Sequence, residues 1–240
     1  MQEKLLNIFD AFSDLCQPMR VVITAATSME LVPAFSNINK LYTGENEKLH
    51  VSFQATGVGM LASAVSLYQL AFQQKPDLII QAGIAGTFDK KISLGEVVVI
   101  DEEMLGDTGV EENGEWKDIF DMNLTKPDDP PYNNNRLPNE WLDKFNLLQL
   151  PTATSITVNE VSTNKERMQQ LIEKYKPTIE SMEGAALHYV CRLTNIPFIQ
   201  IRSISNYVGI RDKSEWKIKD AIVNLNDALL RYIDELYKMS

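Results

Sequence analysis

The sequence predicts an α/β fold, on two observations. Apolar runs of strand length alternate with amphipathic runs of helical period, the pattern of successive βα units on a largely parallel sheet. Residues 178–206, TIESMEGAALHYVCRLTNIPFIQIRSISN, read as strand, helix, strand, with Glu183 opening the helix and Asn206 closing the second strand. Ligands of open α/β sheets gather outside the carboxyl ends of strands, which places Glu183 and Asn206 at one rim. A carboxylate at a helix start faces free N–H groups and the positive end of the dipole. When ionised it only accepts hydrogen bonds, which suits it to a vicinal diol. The small residues Gly184, Ala185 and Ala186 allow close approach of helix and ligand. The competing reading is that Glu183 only stabilises a helix N-terminus.

Residues 1–18 predict a separate helical extension, with Leu5, Phe9, Phe12 and Cys16 on one face and Gln17-Pro18 as its stop. Asp10 and Asp14 inside its apolar part are unlike a signal peptide, so it reads as a docking or partner-contacting helix. Residues 19–240 predict one domain. Within it, residues 20–27 are a buried strand turning through Ser28-Met29-Glu30-Leu31 into a helix. Thr27 and Glu30 have capping-box spacing, the structural reading of Glu30. The functional reading is a carboxylate at a strand's carboxyl end, within reach of a ligand.

A strand over 49–56 runs into Gly57-Val58-Gly59-Met60-Leu61-Ala62 and a helix over 64–74. The G-x-G-x-x-A spacing raises a dinucleotide site. That site is excluded because this is not the first strand-to-helix turn, and Asp77 precedes its strand instead of ending it. The glycines read instead as a cradle of backbone N–H groups for an anion or hydroxyl. Residues 77–83 form a third strand entering a second glycine turn, Gly83-Ile84-Ala85-Gly86, and residues 95–100 a fourth. Residues 105–151 are rich in Gly, Pro, Asn and Asp and read as a lid or subunit-contact insert with a short helix over 139–147. A strand over 152–158 and a helix over 165–175 precede the 178–206 unit. A polar segment, 207–217, and a last amphipathic helix, 218–239, follow, with Ile222, Leu225, Leu229, Ile233 and Leu236 on one face.

Composition excludes several function classes. A net charge of −10 with no basic run argues against nucleic acid and anionic membranes as partners. Cys16 and Cys191 form no CxxC, so no disulfide framework is expected and a reducing cytoplasm fits. His50 and His188 lack ligand spacing, so no metal and no cofactor are expected; His188 reads as a surface or satisfied core residue. No apolar run approaches the roughly 20 residues of a membrane helix.

Six motifs then occur in one order: Glu30 after its strand, Gly57-Val58-Gly59, Gly83-Ile84-Ala85-Gly86, Gly95-Glu96-Val97-Val98-Val99, Ser181-Met182-Glu183-Gly184-Ala185 and Arg202-Ser203-Ile204-Ser205-Asn206. In this the chain resembles the nucleoside phosphorylase and nucleosidase superfamily from Met19 nearly to its end. The resemblance implies a three-layer domain with a central twisted mixed sheet, and cleavage of the ribosyl–base bond of a purine nucleoside. It implies that Met182 and Glu183 bind ribose and that Glu30 activates water. It further implies that Asn206, beside Ser205, handles the purine N7 side, that Thr157 and Val158 flank the base, and that Gly59 and Gly83 approach the ligand. It also implies a homodimer or larger homo-oligomer.

Phosphorylases of this superfamily carry an arginine two residues before the glycine turn, where a phosphate dianion needs it. Here Gln81 stands there, which favours water as nucleophile. Nucleosidases for adenine nucleosides carry aspartate at position 206. An asparagine NH₂ donates to N7 and O6 of a 6-oxopurine instead. The motif text is most similar to the futalosine hydrolase branch, which implies release of hypoxanthine in an alternative menaquinone route. Arg211 would meet the benzoate of the 5′ extension, with Trp216 beside it, or both would sit in a solvated surface loop. The alternatives are a 5′-methylthioadenosine/S-adenosylhomocysteine nucleosidase, a purine nucleoside phosphorylase, or a nucleoside-binding protein without turnover.

Overall fold

The computed structural model describes residues 17–42 and 48–239; the extension expected over 1–18 lies outside them except for its last two residues. In chain order, β1 (Met19–Ala25) leads through a 3-10 turn (Ser28–Glu30) into α1 (Val32–Tyr42). Next come β2 (Leu49–Ala55), α2 (Met60–Gln74), β3 (Leu78–Thr87) and β4 (Val97–Leu105). The middle of the chain holds β5 (Gly109–Glu112), β6 (Glu115–Asp118), β7 (Leu137–Pro138) and α3 (Leu142–Phe145). It is followed by β8 (Thr152–Thr157), α4 (Lys165–Tyr175), β9 (Ile179–Ser181), α5 (Gly184–Thr194), β10 (Phe198–Tyr207) and α6 (Ile218–Met239).

Strand β3 organises the sheet. Its first half pairs in parallel with β1, and β1 in parallel with β2. On its other edge β3 pairs in parallel with β10 along most of its length. At its carboxyl end Gly86 and Thr87 pair antiparallel with β9. From β9 the sheet runs through β8 and β4 back to β10, so five strands close on one another while β1 and β2 extend as a wing. The sheet is therefore mixed: the β3–β9 and β10–β4 pairs are antiparallel where alternation alone predicts a largely parallel sheet.

Period-two alternation explains the layers. Val21 and Ile23 of β1, with Ile80 and Ile201, pack under Ala34 and Ile38 of α1 and Leu225, Leu229 and Ile233 of α6. The intervening Val22, with Ile79 and Phe198, packs under Leu67 and Leu70 of α2 and Leu187 and Val190 of α5. This gives three layers: helices, sheet, helices.

Several sequence expectations change. Residues 83–86 are not a turn: β3 runs straight through them because β10 pairs with it at each of these glycines. The expected helix over 139–147 shortens to Leu142–Phe145. Strand β4 continues to Leu105 and β10 to Tyr207, past the ends their apolar runs suggest. The 105–151 segment packs behind the sheet. Arg192 of α5 donates to the Pro131 and Pro138 carbonyls at 2.6 and 2.8 Å, and the amide of Asn139 donates to the Phe198 carbonyl at 3.1 Å. The guanidinium of Arg167 lies 3.6 Å from the centre of the Trp116 ring.

His188 is fully buried, its Nδ1 2.6 Å from the Leu137 carbonyl and its ring centre 4.6 Å from that of Phe198. Burial pulls its pKa down to about 3, so it is neutral in the fold. The unfolded chain takes up a proton there below about 6.5. The contribution to stability is thus complete above about pH 6.5 and is lost as pH falls toward 3. We predict that His188→Leu shows a shallower loss of urea-unfolding stability than the parent between about pH 6 and 4. Equal slopes would contradict this role.

Candidate active site

A cavity of about 370 Å³ opens at the carboxyl ends of β1, β3 and β10 and the start of α5. Glu30, Met182, Glu183, Ser205 and Asn206 all line it, although they come from three distant parts of the chain. Gly59, Gly83, Thr157 and Val158 do not. None of the described lining residues belongs to 105–151.

Glu30 satisfies both of its sequence readings. Its Oε2 accepts from the backbone N–H and the hydroxyl of Thr27 at 3.0 and 3.1 Å, completing the capping box. Its Oε1 faces only the Ile84 N–H, at a long 3.4 Å, and the residue also lines the cavity. The turn is pinned from across the fold. Asn226 of α6, almost fully buried, donates from Nδ2 to the Glu30 carbonyl at 2.9 Å and accepts the Ala34 N–H on Oδ1 at 2.8 Å.

Glu183 caps α5 and is buried at 7% exposure. Its Oε1 accepts the backbone N–H of Gly59 at 2.9 Å. Gly57 and Gly59 have φ of +90° and +87°, the left-handed region that favours glycine, and this conformation turns the Gly59 N–H toward the carboxylate. The anion in the expected cradle is thus the protein's own glutamate. Asn206 follows a β-bulge at Ser205, which re-aims the strand end. The Ser205 hydroxyl donates to Oδ1 at 2.8 Å, and Nδ2 donates one hydrogen to the Tyr207 carbonyl at 3.2 Å. The other hydrogen of that amide has no acceptor among the described residues.

Beneath the cavity floor lies a buried polar band. The Glu103 carboxylate is fully buried and accepts from Thr157 Oγ1 at 2.9 Å and Gln200 Nε2 at 2.8 Å. Burial raises its pKa, opposed by its hydrogen bonds to Gln200, Ser155 and Thr157 and by the Arg202 charge. Thr157 Oγ1 also accepts the Ala185 N–H at 2.7 Å, so Thr157 ties β8 to α5. Val158 sits in a core cluster with Met104, Ile156 and Leu171. Arg202 Nη2 donates to Gln81 Oε1 at 2.6 Å, and Gln81 Nε2 reaches the Glu183 carbonyl at 3.5 Å. The glycines serve this band. A Cβ at Gly83 would overlap Arg202 Nη1, and one at Gly184 would overlap the Glu103 carboxylate. The small size of Gly184 therefore admits Glu103 from below, where sequence reasoning expects a ligand.

Reading the sequence alone misses Glu180, Val161 and Gly86 in the wall, and Asn226 behind Glu30. Gly86 closes the motif Gly83-Ile84-Ala85-Gly86, and Glu180 immediately precedes Ser181-Met182-Glu183-Gly184-Ala185; neither motif points to these two as wall residues. Arg211 and Trp216 do reach the wall, the guanidinium 5.2 Å from the centre of the indole ring. Among the described residues no group of three His, Cys, Asp or Glu is placed to hold a metal, and no helix is long and apolar enough to cross a membrane.

Three carboxylates, those of Glu30, Glu180 and Glu183, and the amide of Asn206 around a cavity beside strand ends are the equipment of an enzyme acting on a small polar ligand. The family model for the phosphorylase superfamily matches residues 17–237, so the chain belongs to that superfamily. The chain is 29% identical over 191 residues to the futalosine hydrolase of Thermus thermophilus, covering 75% of this chain and 80% of that one. It is 28% identical over 241 residues to the 5′-methylthioadenosine/S-adenosylhomocysteine nucleosidase of Maridesulfovibrio salexigens, covering 91% and 100%. The structure of a futalosine hydrolase mutant of Helicobacter pylori superposes with a TM-score of 0.75 at 16% identity, over 90% of this chain and 99% of that one. That likeness shows the fold.

Proposed function

We propose that this protein is a nucleosidase that hydrolyses the N-glycosidic bond of a 6-oxopurine nucleoside, with futalosine as its substrate. Hypoxanthine and dehypoxanthine futalosine are the products, a step in menaquinone biosynthesis in the cytoplasm. The observation that carries this reading is the convergence of Glu30, Glu183 and Asn206 on one cavity. The 29% identity to two futalosine hydrolases supports the choice of substrate.

Glu183 accepts from the ribose hydroxyls, with its carboxylate oriented by the Gly59 N–H and Met182 packed beside the sugar. Glu30 takes the proton of the attacking water on Oε1, the oxygen its cap leaves weakly held. The water oxygen bonds to C1′ as the C1′–N9 bond breaks; the electron pair of that bond leaves with the purine, which takes up a proton from solvent while Glu30 returns its own to solvent. The NH₂ of Asn206 hydrogen-bonds the N7 side of that leaving group, where charge develops. General-base activation is worth roughly 10²–10⁴-fold. Water is preferred over phosphate because Gln81 is 1% exposed and engaged with Arg202, and among the described residues Arg211 is the only arginine in the cavity wall. Arg211 and Trp216 suit an acidic 5′ extension.

We also propose a homo-oligomer. Leu61, Val65, Tyr68 and Phe72 repeat at helical spacing on the outer face of α2 and are more than half exposed, next to exposed Met29 and Val58 at the cavity mouth.

Incubation with futalosine, inosine and 5′-methylthioadenosine, with and without phosphate, tests the reaction. The expected result is phosphate-independent release of hypoxanthine from futalosine, lowered about 10²-fold or more in Glu30→Gln and Glu183→Gln. A strict need for phosphate, or preferred release of adenine, would overturn the reading. Sedimentation should give a dimer or larger assembly that Leu61→Glu weakens; a monomer at micromolar concentration would refute the assembly.

A further inference from the structure

Besides Glu30 and Glu183 the cavity wall contains a third carboxylate that the mechanism does not use. Glu180 of β9 is 6% exposed and lines the cavity. Its Oε1 accepts the backbone N–H of Ser162 at 3.1 Å, next to Val161, another wall residue. Its Oε2 is buried and has no hydrogen-bond partner among the described residues. A buried carboxylate oxygen without a donor is costly, and such a group calls for a ligand or another explanation.

The sheet register says what that ligand is. Gly86 of β3 pairs with Asn206 of β10 on one side and with Glu180 of β9 on the other. Residues directly opposite one another share a face of the sheet. Asn206 and Glu180 therefore stand level across one strand, their Cα atoms about 10 Å apart. Between them Gly86 carries no side chain, and a Cβ there would come within 3.1 Å of Asn206 Nδ2. The result is a slot with an amide donor on one side and a carboxylate acceptor on the other.

A 6-oxopurine offers the complementary edge. Its N7 and O6 accept hydrogen bonds and its N1 carries a hydrogen. In a 6-aminopurine N1 has a lone pair and the exocyclic group donates, so the same slot sets two acceptors against each other. We infer that Glu180 is a specificity-determining residue that accepts the N1–H of a 6-oxopurine on Oε2, opposite Asn206 at the N7–O6 side. This deepens the proposed function and rests on it, since it takes the base as lying against Asn206. Burial raises the Glu180 carboxyl above its ordinary range, against the Ser162 hydrogen bonds that lower it. An N1–H placed on Oε2 supplies the donor that desolvation has removed.

Glu180→Gln separates specificity from structure. Its amide oxygen can still accept the Ser162 N–H, but its NH₂ then faces N1. Calorimetric binding of hypoxanthine, 1-methylhypoxanthine and adenine to the parent and to Glu180→Gln reads the effect. The parent should bind hypoxanthine tightest. In Glu180→Gln hypoxanthine should weaken by about 10- to 100-fold while adenine tightens, and the advantage of hypoxanthine over its 1-methyl form should shrink. The kcat/KM for futalosine should fall by a similar factor, with an unchanged melting temperature. Unchanged selectivity in Glu180→Gln, or equal weakening of all three bases, would overturn this inference while leaving the oxopurine assignment standing. A parent protein that prefers adenine would overturn both.

Discussion

The hydrogen bond from the Gly59 N–H to Glu183 Oε1 is the contact on which the site depends. It joins two strand-to-helix turns that lie 124 residues apart in the chain. A carboxylate at 7% exposure needs donors, and a helix start alone gives Glu183 no side-chain cap bond. The donor comes instead from a glycine whose φ of +87° favours glycine over other residues. The turn that looks like a dinucleotide fingerprint is thus a fixture for an acid in the cavity wall. It sets one carboxylate oxygen; in the proposed function the other takes a sugar hydroxyl.

The second constraint is the polar band beneath the floor. Glu103, Thr157, Gln200, Arg202 and Gln81 are all buried and linked by hydrogen bonds or charge, and their last connection is the Glu183 carbonyl. The bonds between them hold the strands that carry them in one arrangement, while Gln200 Oε1 and Arg202 Nε are buried without a hydrogen-bond partner among the described residues. Here those strands are β3, β4, β8 and β10, four of the five that close on one another. The floor of the cavity is therefore held by polar geometry, with the apolar layers on either side supplying most of the burial energy.

What was legible in the sequence was local. The ends of α4 and α6 follow from their periodicity and stop residues, and the Thr27–Glu30 cap from its spacing. The rim holding Glu30, Glu183 and Asn206 followed from the rule about strand ends together with the family resemblance. What was illegible depends on partners distant in sequence. Nothing near Gly83 or Gly184 announces that their missing side chains make room for Arg202 and Glu103; read locally, the first suggests a turn and the second ligand clearance. Thr157 and Val158 end the right strand, but β8 directs one into the polar band and the other into apolar core. The place of Glu180 in the wall depends on the register of β9 against β3, which no local pattern encodes.

The most direct measurement of the central claim is a crystal structure with a non-hydrolysable 6-oxopurine nucleoside bound. The account predicts one ligand touching all three groups: Glu183 within about 2.5–3.2 Å of the ribose hydroxyls, Asn206 Nδ2 on the N7 side, and a water between Glu30 Oε1 and C1′. A ligand that leaves Glu30 or Glu183 without contact, or that turns its purine away from Asn206, would contradict it.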